Sequence, residues 1–429
     1  MKIETLHQVF LKSSGICTDT RIITKGCLFF ALKGENFNGN KFAQEALDKG
    51  AYKAIIDETD YHKTSGETLL FSDVLITLQN LASFHRDYLK LPIIALTGSN
   101  GKTTTKELIN AVLSQNFNTV ATKGNLNNHI GVPLTLLSMN SETELGIAEM
   151  GANHLNEIEL LCKIAKPDFG YITNFGKAHL EGFGSMEGVI KGKTELYNHL
   201  KQFNKTVFVN SEDSKQLELS KKMNIITFGN KEQDCNIQLK DASQQLIVDY
   251  KGLEIQSNLI GLYNFHNIAA AICIGDYFKV SRENIKKAIE SYTPTNNRSQ
   301  LIEKGTNKII LDAYNANPSS MKVALENFKQ TKGESKIVFL GDMFELGAEA
   351  EKEHQYIVDL LKENTFEKAY LIGDNFFKTN SFSPQIHKFK TFDELKKELD
   401  IKTIKKCHIL IKASRGMALE RILQLDCFI

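Results

Sequence analysis

The chain has 429 residues, of which 42% are hydrophobic and 24% are charged, and its formal net charge is +1. This length is too great for one ordinary hydrophobic core, so we expect two or more domains in a globular protein. The near-zero charge, without basic runs interleaved with aromatic residues, lacks the electrostatic signature of a nucleic-acid-binding protein. No apolar run is long enough to form a membrane-spanning helix.

The N-terminal residues and the cysteine pattern both indicate a cytoplasmic protein. Met1–Phe10 mixes charged and apolar residues and lacks the continuous apolar core of a secretory signal. Seven cysteines are scattered along the chain without a Cys-x-x-Cys pair, a pattern typical of reduced thiols. We therefore expect a cytoplasmic protein that is not inserted into a membrane.

The first segment of the chain alternates short strands with turns. Cys27–Leu32 is predicted to be a strand, and Phe42–Lys49 is predicted to be a helix that closes at Gly50. A linker is predicted at Leu89–Pro92, because the residue before a proline is disfavoured in a helix. This predicts a small α/β domain over residues 1–89.

A glycine-rich segment follows the linker. Thr97–Lys106 reads Thr-Gly-Ser-Asn-Gly-Lys-Thr-Thr-Thr-Lys, and it lies between the apolar run Ile93–Leu96 and the helical pattern of Glu107–Leu113. A strand, a glycine-rich turn and a helix N-terminus form a nest of backbone N–H groups that binds phosphate. In such a loop Lys102 reaches the outer phosphates and the hydroxyl of Thr103 faces Mg²⁺.

The loop departs from the usual phosphate-binding pattern at one position. That pattern has a glycine five residues before Gly101, where this chain has Leu96, and its early glycine is Gly98 instead. The order of strand, glycine-rich turn and helix is retained. The segment therefore still predicts a protein that binds a nucleoside triphosphate.

Polar residues follow two further apolar strands of the same segment. Glu149 comes directly after Ile147-Ala148, and Thr173-Asn174 comes after Tyr171-Ile172. Carboxyl ends of parallel strands share one edge of a doubly wound sheet, where ligands bind. We therefore expect Lys102, Glu149 and the loop that leads to His179 to converge.

From residue 294 onward a second series of strands is predicted. Four apolar runs end in polar residues, at Asp312, Gly341-Asp342, Gly373-Asp374 and Lys412. This repetition is typical of a second parallel sheet with Rossmann-like winding. We expect a hinge near residues 292–294 that allows this last domain to close on the rest of the protein.

Four stretches together resemble the Mur ligases, which are ATP-dependent amide-forming enzymes of peptidoglycan precursor synthesis. They are Thr97–Lys106, Glu149–Ala152, Asn174–His179 and Asp312–Pro318. The resemblance implies an α/β protein of three domains: a small UDP-sugar-binding N-terminal domain (1–89), a central ATP-binding P-loop domain with a doubly wound parallel sheet (90–293), and a C-terminal Rossmann-like domain (294–429).

Other stretches resemble the family member that adds a dipeptide. They are Gly124–Asn128 with Gly131–Pro133, Tyr314–Pro318 and Lys412–Met417. The resemblance implies that the substrates are UDP-N-acetylmuramoyl-tripeptide and D-alanyl-D-alanine. ATP first phosphorylates the terminal carboxylate of the tripeptide, and the amine of the dipeptide then attacks the acyl phosphate. We expect a monomer that acts without a nucleic-acid partner.

The resemblance also implies the catalytic and metal-binding residues. Lys102 binds the β- and γ-phosphates, one Mg²⁺ is held by Thr103 and Glu149, and a second Mg²⁺ is held by His179. The family converts a lysine into a carbamate that faces the metal. The pattern Lys-Thr-Glu-Leu-Tyr selects Lys193 for this role, and Lys191 remains an alternative two residues away. Carbamylation needs a neutral amine, so it favours a lysine whose pKa is lowered by its surroundings.

The nucleotide contacts implied by the resemblance come from two domains. Asn264 and Asn267 lie on one helical face and match asparagines on the adenine side. Asp312 takes the ribose hydroxyls, while Asn315 and Arg298 lie near the phosphates. The phosphate-binding loop itself contributes Gly98, Ser99, Asn100, Gly101, Lys102, Thr103 and Thr104.

The contacts to the other substrates are assigned in the same way. Thr20 and Arg21 resemble the uridine-binding end, whereas Asn38 and Asn40 depart from the Asp and His of many relatives. The peptide end near the reaction centre is met by Asn125, Asn127 and Asn128. The dipeptide carboxylate is met by Ser414 and Arg415, because the planar guanidinium suits a carboxylate.

Two alternative functions remain. One is another amide ligase of the same fold, either a Mur enzyme that adds a single amino acid or a folylpolyglutamate synthetase. The Asp-Asn-Pro-Arg signature of the diaminopimelate-adding relative does not occur in this chain. The other is a P-loop switch or assembly module without ligase activity, which has no need of two metal sites.

Overall fold

The computed structural model describes residues 1–231, 233–295, 297–331, 333, 335–363, 366–399 and 404–425. Three sheets, of four, nine and six strands, follow one another along this part of the chain, and a small two-stranded hairpin belongs to the first. None of the described helices combines the length and the apolarity that a bilayer crossing requires. Six cysteines are buried and free, and Cys427 lies outside the described residues.

The first sheet is parallel, in the order β1-β2-β5-β6. The predicted strand and helix are both present, as β2 and α2, but the structure adds helices at either end that the sequence analysis did not assign. The elements are α1 (Ile3–Phe10), β1 (Ile16–Cys17), β2 (Leu28–Phe30), β3 (Lys33–Gly34), β4 (Phe37–Asn38), α2 (Ala43–Asp48), β5 (Lys53–Ile56), β6 (Thr68–Leu70) and α3 (Val74–Leu89).

The central sheet has the order β15-β14-β13-β12-β11-β10-β7-β9-β8. Its elements are β7 (Ile93–Thr97), α4 (Lys102–Leu113), β8 (Thr119–Ala121), α5 (Gly131–Leu137), β9 (Leu145–Glu149), α6 (Glu157–Ala165), β10 (Phe169–Ile172), α7 (Leu180–Phe183), α8 (Met186–Gln202), β11 (Thr206–Asn210), α9 (Ser214–Leu219), β12 (Asn224–Gly229), β13 (Cys235–Asp241), β14 (Gln245–Tyr250), β15 (Leu253–Ile260), α10 (Asn264–Tyr277) and α11 (Arg282–Ser291).

The seven strands β13-β12-β11-β10-β7-β9-β8 pair in parallel along the sheet. The last two strands in the chain, β14 and β15, pair antiparallel. The sequence analysis predicted a doubly wound parallel sheet over residues 90–293, so the antiparallel ribbon is a departure from that prediction. Lys251 and Gly252 form its tight turn, with φ of +51° and +76°. Two successive positive φ angles are the requirement of a two-residue hairpin turn that matches the twist of the strands.

The third sheet has the order β16-β17-β21-β18-β19-β20 and is parallel except for β16. All four predicted strands are present, and β16 and β20 flank them at the sheet edges. The elements are β16 (Gln300–Lys304), β17 (Asn307–Asp312), α12 (Pro318–Gln330), β18 (Lys336–Gly341), α13 (Ala350–Lys362), β19 (Lys368–Ile372), α14 (Asp374–Lys378), β20 (Ile386–Phe389), α15 (Phe392–Glu398) and β21 (His408–Lys412).

Helix α3 joins the first sheet to the central one. The Asp73 side chain caps it by accepting a hydrogen bond from the backbone N–H of Ile76, at 2.8 Å. Its buried face packs against α5 and α6, so Leu78 and Leu81 belong to a core that also contains residues of the central sheet. The first domain is therefore held to the central domain by a continuous apolar core as well as by the chain.

We expect Leu81→Ala to destabilise the protein by about 2–5 kcal/mol, because Leu81 is fully buried and its loss leaves a cavity. Ile76 lies on the same helix but is 54% exposed. Ile76→Ala should therefore lower the free energy of unfolding by less than about 1 kcal/mol. Urea unfolding of both variants, followed by circular dichroism, measures the difference, and equal effects would contradict this packing.

Candidate active site

A cleft of about 850 Å³ lies where the carboxyl ends of β7, β9 and β10 face the carboxyl ends of β17 and β21. The structure thus brings Lys102, Glu149 and His179 together, as the strand ends predicted, and adds residues of the third domain to them. Sixteen residues named by the sequence analysis line it: Ser99, Asn100, Gly101, Lys102, Thr103, Thr104, Asn125, Asn127, Asn128, Glu149, His179, Asn264, Asn267, Arg298, Asp312 and Asn315.

The glycine-rich loop connects β7 to α4, and its two glycines are required for different reasons. Gly98 has a φ of +142°, and a Cβ there would lie 2.0 Å from the hydroxyl oxygen of Thr173. Gly101 has a φ of +80°, and a Cβ there would lie 2.7 Å from Oδ1 of Asn267. Both positions combine a left-handed backbone with close neighbours, so glycine alone fits them without displacing the loop.

Lys102 begins helix α4 and folds back over the loop. Its ammonium donates hydrogen bonds to the carbonyl oxygens of Gly98, at 2.6 Å, and Ser99, at 3.3 Å. Desolvation lowers the pKa of Lys102 to about 8, Glu149 opposes this shift, and Arg298 adds to it. A desolvated cation that lies over a phosphate-binding loop is suited to exchange its carbonyl partners for phosphate oxygens.

Glu149 at the end of β9 fits a metal ion. Its carboxylate is buried, and Oε1 accepts a hydrogen bond from Nδ2 of Asn127 at 2.8 Å. Its other oxygen, Oε2, is buried without a hydrogen-bond partner in the described part of the chain. An unpaired buried carboxylate oxygen is costly unless a cation binds it.

The other member of the predicted metal pair, Thr103, is buried on the first turn of α4 and lines the same cleft. A carboxylate and a hydroxyl are oxygen donors of the kind that Mg²⁺ prefers, with water and phosphate completing its shell. Among the described residues there is no cluster of three or more His, Cys, Asp or Glu side chains that could hold a metal. The donor set therefore fits Mg²⁺ bound together with a nucleotide.

The segment after β10 is hydrogen-bonded to the glycine-rich loop. Ser99 donates from its hydroxyl to the carbonyl oxygen of Gly176, at 2.9 Å, and accepts from the Gly176 N–H, at 3.0 Å. Asn174 accepts from the backbone N–H of Asn100, at 3.0 Å, and donates to its carbonyl oxygen, also at 3.0 Å. The two loops therefore form one rigid unit at the edge of the sheet.

His179 ends this segment in a left-handed conformation, with a φ of +53°. Its Nδ1 is hydrogen-bonded to a carboxylate oxygen of Glu345, which belongs to the third domain. This hydrogen bond lowers the pKa of Glu345. The predicted metal-binding histidine is thus in contact with both domains.

Asp312 at the end of β17 lies opposite Lys412 at the end of β21. The two residues are paired in the strand register, and Nζ of Lys412 lies 2.6 Å from Oδ2 of Asp312. The same ammonium donates to the carbonyl oxygen of Asn315 at 3.3 Å, while Oδ1 of Asp312 accepts from the N–H of Ser299 at 3.2 Å. Lys412 is almost fully buried and lines the cleft.

Arg298 and Arg415 both lie close to the ring of Tyr314. The guanidinium carbon of Arg298 is 3.7 Å from the centre of the Tyr314 ring, and that of Arg415 is 5.8 Å from it. Nε of Arg298 is buried without a partner among the described residues. Arg415 is largely exposed and forms an ion pair with Glu420 at 3.1 Å, and it does not line the cleft.

Ser414 is buried beside the third-domain loops rather than in the cleft. Its hydroxyl accepts a hydrogen bond from the N–H of Phe344 at 2.9 Å, and it lies 3.4 Å from the carbonyl oxygen of Ala316. These contacts support the loop around Tyr314. A direct contact of Ser414 with the dipeptide remains a prediction.

The two asparagines predicted on the adenine side lie side by side on α10, as their spacing predicted. Nδ2 of Asn267 donates to Oδ1 of Asn264 at 2.8 Å, and Oδ1 of Asn267 accepts from the hydroxyl of Thr105 at 2.9 Å. Nδ2 of Asn264 donates to the carbonyl oxygen of Ile260 at 2.8 Å. Both side chains therefore brace α4 and the glycine-rich loop in addition to lining the cleft.

The two candidate lysines of α8 differ sharply in environment. Lys193 is fully buried, its Nζ donates to the carbonyl oxygen of Ala152 at 3.0 Å, and it lies 5.0 Å from the centre of the Phe183 ring. Desolvation lowers the pKa of Lys193 well below its ordinary value, and Lys102 adds to this shift. Lys191 is exposed to solvent.

The predicted uridine-side residues lie outside the cleft. Arg21 is 86% exposed and forms an ion pair with Asp19 at 2.6 Å, beside Thr20 on the same turn. The departure at Asn40 has a structural reason, because this buried amide donates to Asp57 at 2.8 Å and accepts from its backbone N–H at 3.0 Å. Asn38 in turn accepts from the backbone N–H of Asn40.

Two family models match the chain. The Mur ligase middle domain matches residues 96–275, and the Mur ligase glutamate ligase domain matches residues 297–418. A curated relative from Bacillus subtilis, named UDP-N-acetylmuramoyl-tripeptide–D-alanyl-D-alanine ligase, is 34% identical over 96% of this chain and 92% of its own length. The chain belongs to the Mur ligase family.

Solved structures of Mur ligases agree with this architecture. MurF from Acinetobacter baumannii superposes with a TM-score of 0.87 at 29% identity, over 99% of this chain and 98% of that one. MurF from Thermotoga maritima, solved in complex with ADP, gives a TM-score of 0.84 at 28% identity, over 97% of this chain and 98% of that one. The predicted α/β class with three domains is confirmed.

Sequence reasoning gave no role to two residues of this Mur ligase that the structure places at the site, Lys412 in the cleft and Glu345 beside His179. Lys412 had a signal, because it follows the apolar run Ile409–Ile411 just as Asp312 follows Ile309–Leu311, and paired strands put the two ends together. Glu345 had no comparable signal, since it lies in a loop and its partner His179 is 166 residues away.

We expect nucleotide binding to be coupled to proton uptake at Lys102. Below pH 8 the free amine is already charged, so affinity should not depend on this group. As pH rises through about 8 the free protein loses that proton, and binding of phosphate must restore it, so affinity should fall with rising pH. Calorimetry of a non-hydrolysable ATP analogue at pH 8.5, in buffers of different ionisation enthalpy, measures the uptake.

Two variants test the assignment of this proton. Lys102→Met should abolish the uptake at pH 8.5, because the group that takes up the proton is gone. Lys123→Met, which removes an exposed lysine in a neighbouring loop, should leave it unchanged. Uptake that persists in Lys102→Met would assign the proton to another residue.

Proposed function

We propose that this chain joins D-alanyl-D-alanine to UDP-N-acetylmuramoyl-tripeptide with ATP, and releases ADP and phosphate. The observation that carries the proposal is the pairing of a phosphate-binding loop, with the desolvated cation of Lys102, and the unpartnered carboxylate oxygen of Glu149 in one cleft. Full-length similarity to relatives that bear this ligase name supports the choice of substrates.

The reaction has two steps. The terminal carboxylate of the tripeptide attacks the γ-phosphorus of ATP, which forms an acyl phosphate and releases ADP. The amine of the dipeptide then attacks the acyl carbon, and the tetrahedral intermediate expels phosphate and loses a proton as the amide forms. Both steps concentrate negative charge, so cations and oriented backbone N–H groups contribute most to the rate.

The residues of the cleft divide this work. Lys102 and the backbone of residues 98–104 bind the β- and γ-phosphates, and Arg298 lies beside the developing charge. Thr103 and Glu149 hold one Mg²⁺, and His179 contributes to a second. Bound Mg²⁺ neutralises phosphate charge and polarises the phosphoryl oxygens. Asn127 keeps the Glu149 carboxylate in place through the hydrogen bond to Oε1.

The remaining nucleotide contacts are assigned to both domains. Asn264 and Asn267 approach the adenine, while Asp312 and Asn315 approach the ribose and phosphates. Lys412 pairs with the Asp312 carboxylate at the cleft wall, at 2.6 Å, which fixes its orientation for acceptance of ribose hydroxyl hydrogen bonds. All five residues line the cleft.

We also propose that Lys193 carries the carbamate. A carbamate forms when a neutral amine adds to CO₂ and loses a proton, which converts a cationic side chain into an anionic one. Desolvation of Lys193 favours the neutral amine, whereas Lys191 is exposed. The resulting anion compensates the charge of a metal ion, as an ammonium there cannot.

The ends of the two larger substrates are assigned to separate regions. Asn125, Asn127 and Asn128 approach the peptide near the reaction centre, and Thr20 and Arg21 approach the uridine. Ser414 and Arg415 meet the dipeptide carboxylate when the substrate is bound.

We place the domain boundaries at 1–89, 90–293 and 294–429, which agrees with three sheets that share no strand. We further propose a cytoplasmic monomer, since both ATP and a UDP-linked precursor are cytoplasmic compounds.

We expect phosphate release with UDP-tripeptide and D-alanyl-D-alanine, and little release with D-alanine, D-glutamate or L-lysine. A coupled phosphate assay with each amine measures this. Robust turnover of a single amino acid would identify a Mur ligase that adds one residue. ATP hydrolysis that is unaffected by any amine would instead favour a switch or assembly module.

The role of Lys193 predicts a chemical rescue. Lys193→Ala should lower turnover by at least ~10²-fold, the scale of losing one strong electrostatic contact in the transition state. Added formate or acetate should restore part of the rate, because a small anion can occupy the space of the carbamate. Lys191→Ala is the matched control and should keep wild-type turnover. Loss of activity in Lys191→Ala with full activity in Lys193→Ala would shift the assignment by two residues.

A further inference from the structure

His179 reaches across the domain boundary to Glu345. Glu345 follows β18 in the third domain, and its carboxylate is hydrogen-bonded to Nδ1 of His179. Its carbonyl oxygen also accepts a hydrogen bond from the N–H of Glu181 at 3.2 Å, and its φ is +61°. Side chain and backbone of one residue thus both contact the segment that carries the histidine.

The hydrogen bond determines the tautomer of His179. An ionised carboxylate can only accept, so Nδ1 carries the proton and donates it. A neutral ring protonated on Nδ1 has its lone pair on Nε2, which is the atom left to bind a metal ion. Imidazoles that bind metals are commonly oriented in this way by a carboxylate on the other nitrogen.

We propose that Glu345 is a positioning residue that completes the metal site of His179 when the third domain is docked. This inference rests on the proposed function, in which His179 contributes to the second Mg²⁺. It adds a residue from the third domain, so that the geometry of a metal ligand in the central domain depends on the neighbouring domain. The metal site is then fully formed only in the docked arrangement.

The same segment contains a second link that serves as an internal control. Nζ of Lys177 forms an ion pair with Glu353 of α13, and the Lys177 N–H donates to the hydroxyl of Ser319 at 2.9 Å. This ion pair also joins the two domains, but the ring of His179 is hydrogen-bonded to Glu345 and not to either member of this pair. Loss of docking and loss of ring orientation can therefore be separated.

The probe for this site is Mn²⁺. Full-length protein with a non-hydrolysable ATP analogue is titrated with Mn²⁺, and the free Mn²⁺ is measured by electron paramagnetic resonance. Glu345→Ala should weaken one Mn²⁺ site by ~10-fold or more, the scale of losing the outer partner of a metal-binding imidazole. Glu345→Gln keeps an acceptor oxygen at the same distance from the backbone and should restore most of the affinity. Glu349→Gln, at an exposed acid of the same loop region, should bind Mn²⁺ as wild type does.

Lys177→Met breaks the interdomain ion pair alone. If Glu345 acts on the ring, this variant should keep the Mn²⁺ affinity of wild type. If Lys177→Met weakens Mn²⁺ binding as much as Glu345→Ala does, the effect is one of domain docking and the inference is wrong. Unchanged affinity in Glu345→Ala would overturn it equally.

The tautomer gives a readout that needs neither metal nor turnover. The ¹⁵N shifts of the imidazole nitrogens, assigned by comparison with His179→Gln, should show a proton on Nδ1 in wild type and a shift away from that tautomer in Glu345→Ala. A proton on Nε2 in wild type would contradict the inference. Absence of ligation by wild type in the phosphate assay would instead refute the proposed function while leaving the tautomer result readable.

Discussion

The hydrogen bonds between the glycine-rich loop and the segment after β10 are the constraint on which the cleft depends. Ser99 and Gly176 exchange two of them, and Asn100 and Asn174 exchange two more. They fix the backbone of the loop to the neighbouring segment, so the loop is held in place before any ligand binds. Preorganised dipoles of this kind need no rearrangement during the reaction.

The same loops also contact the third domain. Oδ1 of Asn100 accepts a hydrogen bond from Nδ2 of Asn317 at 2.7 Å, and Asn317 also caps helix α12. The N-terminus of α12 is thereby positioned against the phosphate-binding loop. A movement of the third domain must break this hydrogen bond together with the contacts of Lys177 and His179, so phosphate binding and domain position are physically linked.

Much of the site could be predicted because it depends on sheet periodicity. Lys102, Glu149 and Asp312 each follow an apolar strand, and parallel strands bring such ends to one edge. The same rule located all four predicted strands of the third sheet. The convergence of the two sheet edges on one cleft required in addition the family resemblance, since nothing in the strand pattern tells how two domains face each other.

Two elements were missed despite local signals, whereas Glu345 depends on a contact between distant residues. The sequence analysis includes the ribbon of β14 and β15 in a parallel sheet, although its alternating burial and the Lys251-Gly252 turn are local signals of a hairpin. Helix α3 was missed although the Asp73 N-cap and the helical spacing of its buried residues are local signals. Glu345 has no local signal, since a loop carboxylate gains a role only from what it touches.

A buried ion pair of the third domain forms part of the cleft wall, so this domain contributes to the structure of the site as well as covering it. Lys412 and Asp312 are paired in register at the ends of neighbouring strands, and the pair is largely removed from solvent. Removal of one partner leaves the other as an uncompensated buried charge, which is strongly destabilising. Lys412 also binds the carbonyl oxygen of Asn315, so the pair fixes the loop that carries Tyr314. The aromatic ring near Arg298 and Arg415 thus lies on a loop that is held by the same charges that form the cleft wall.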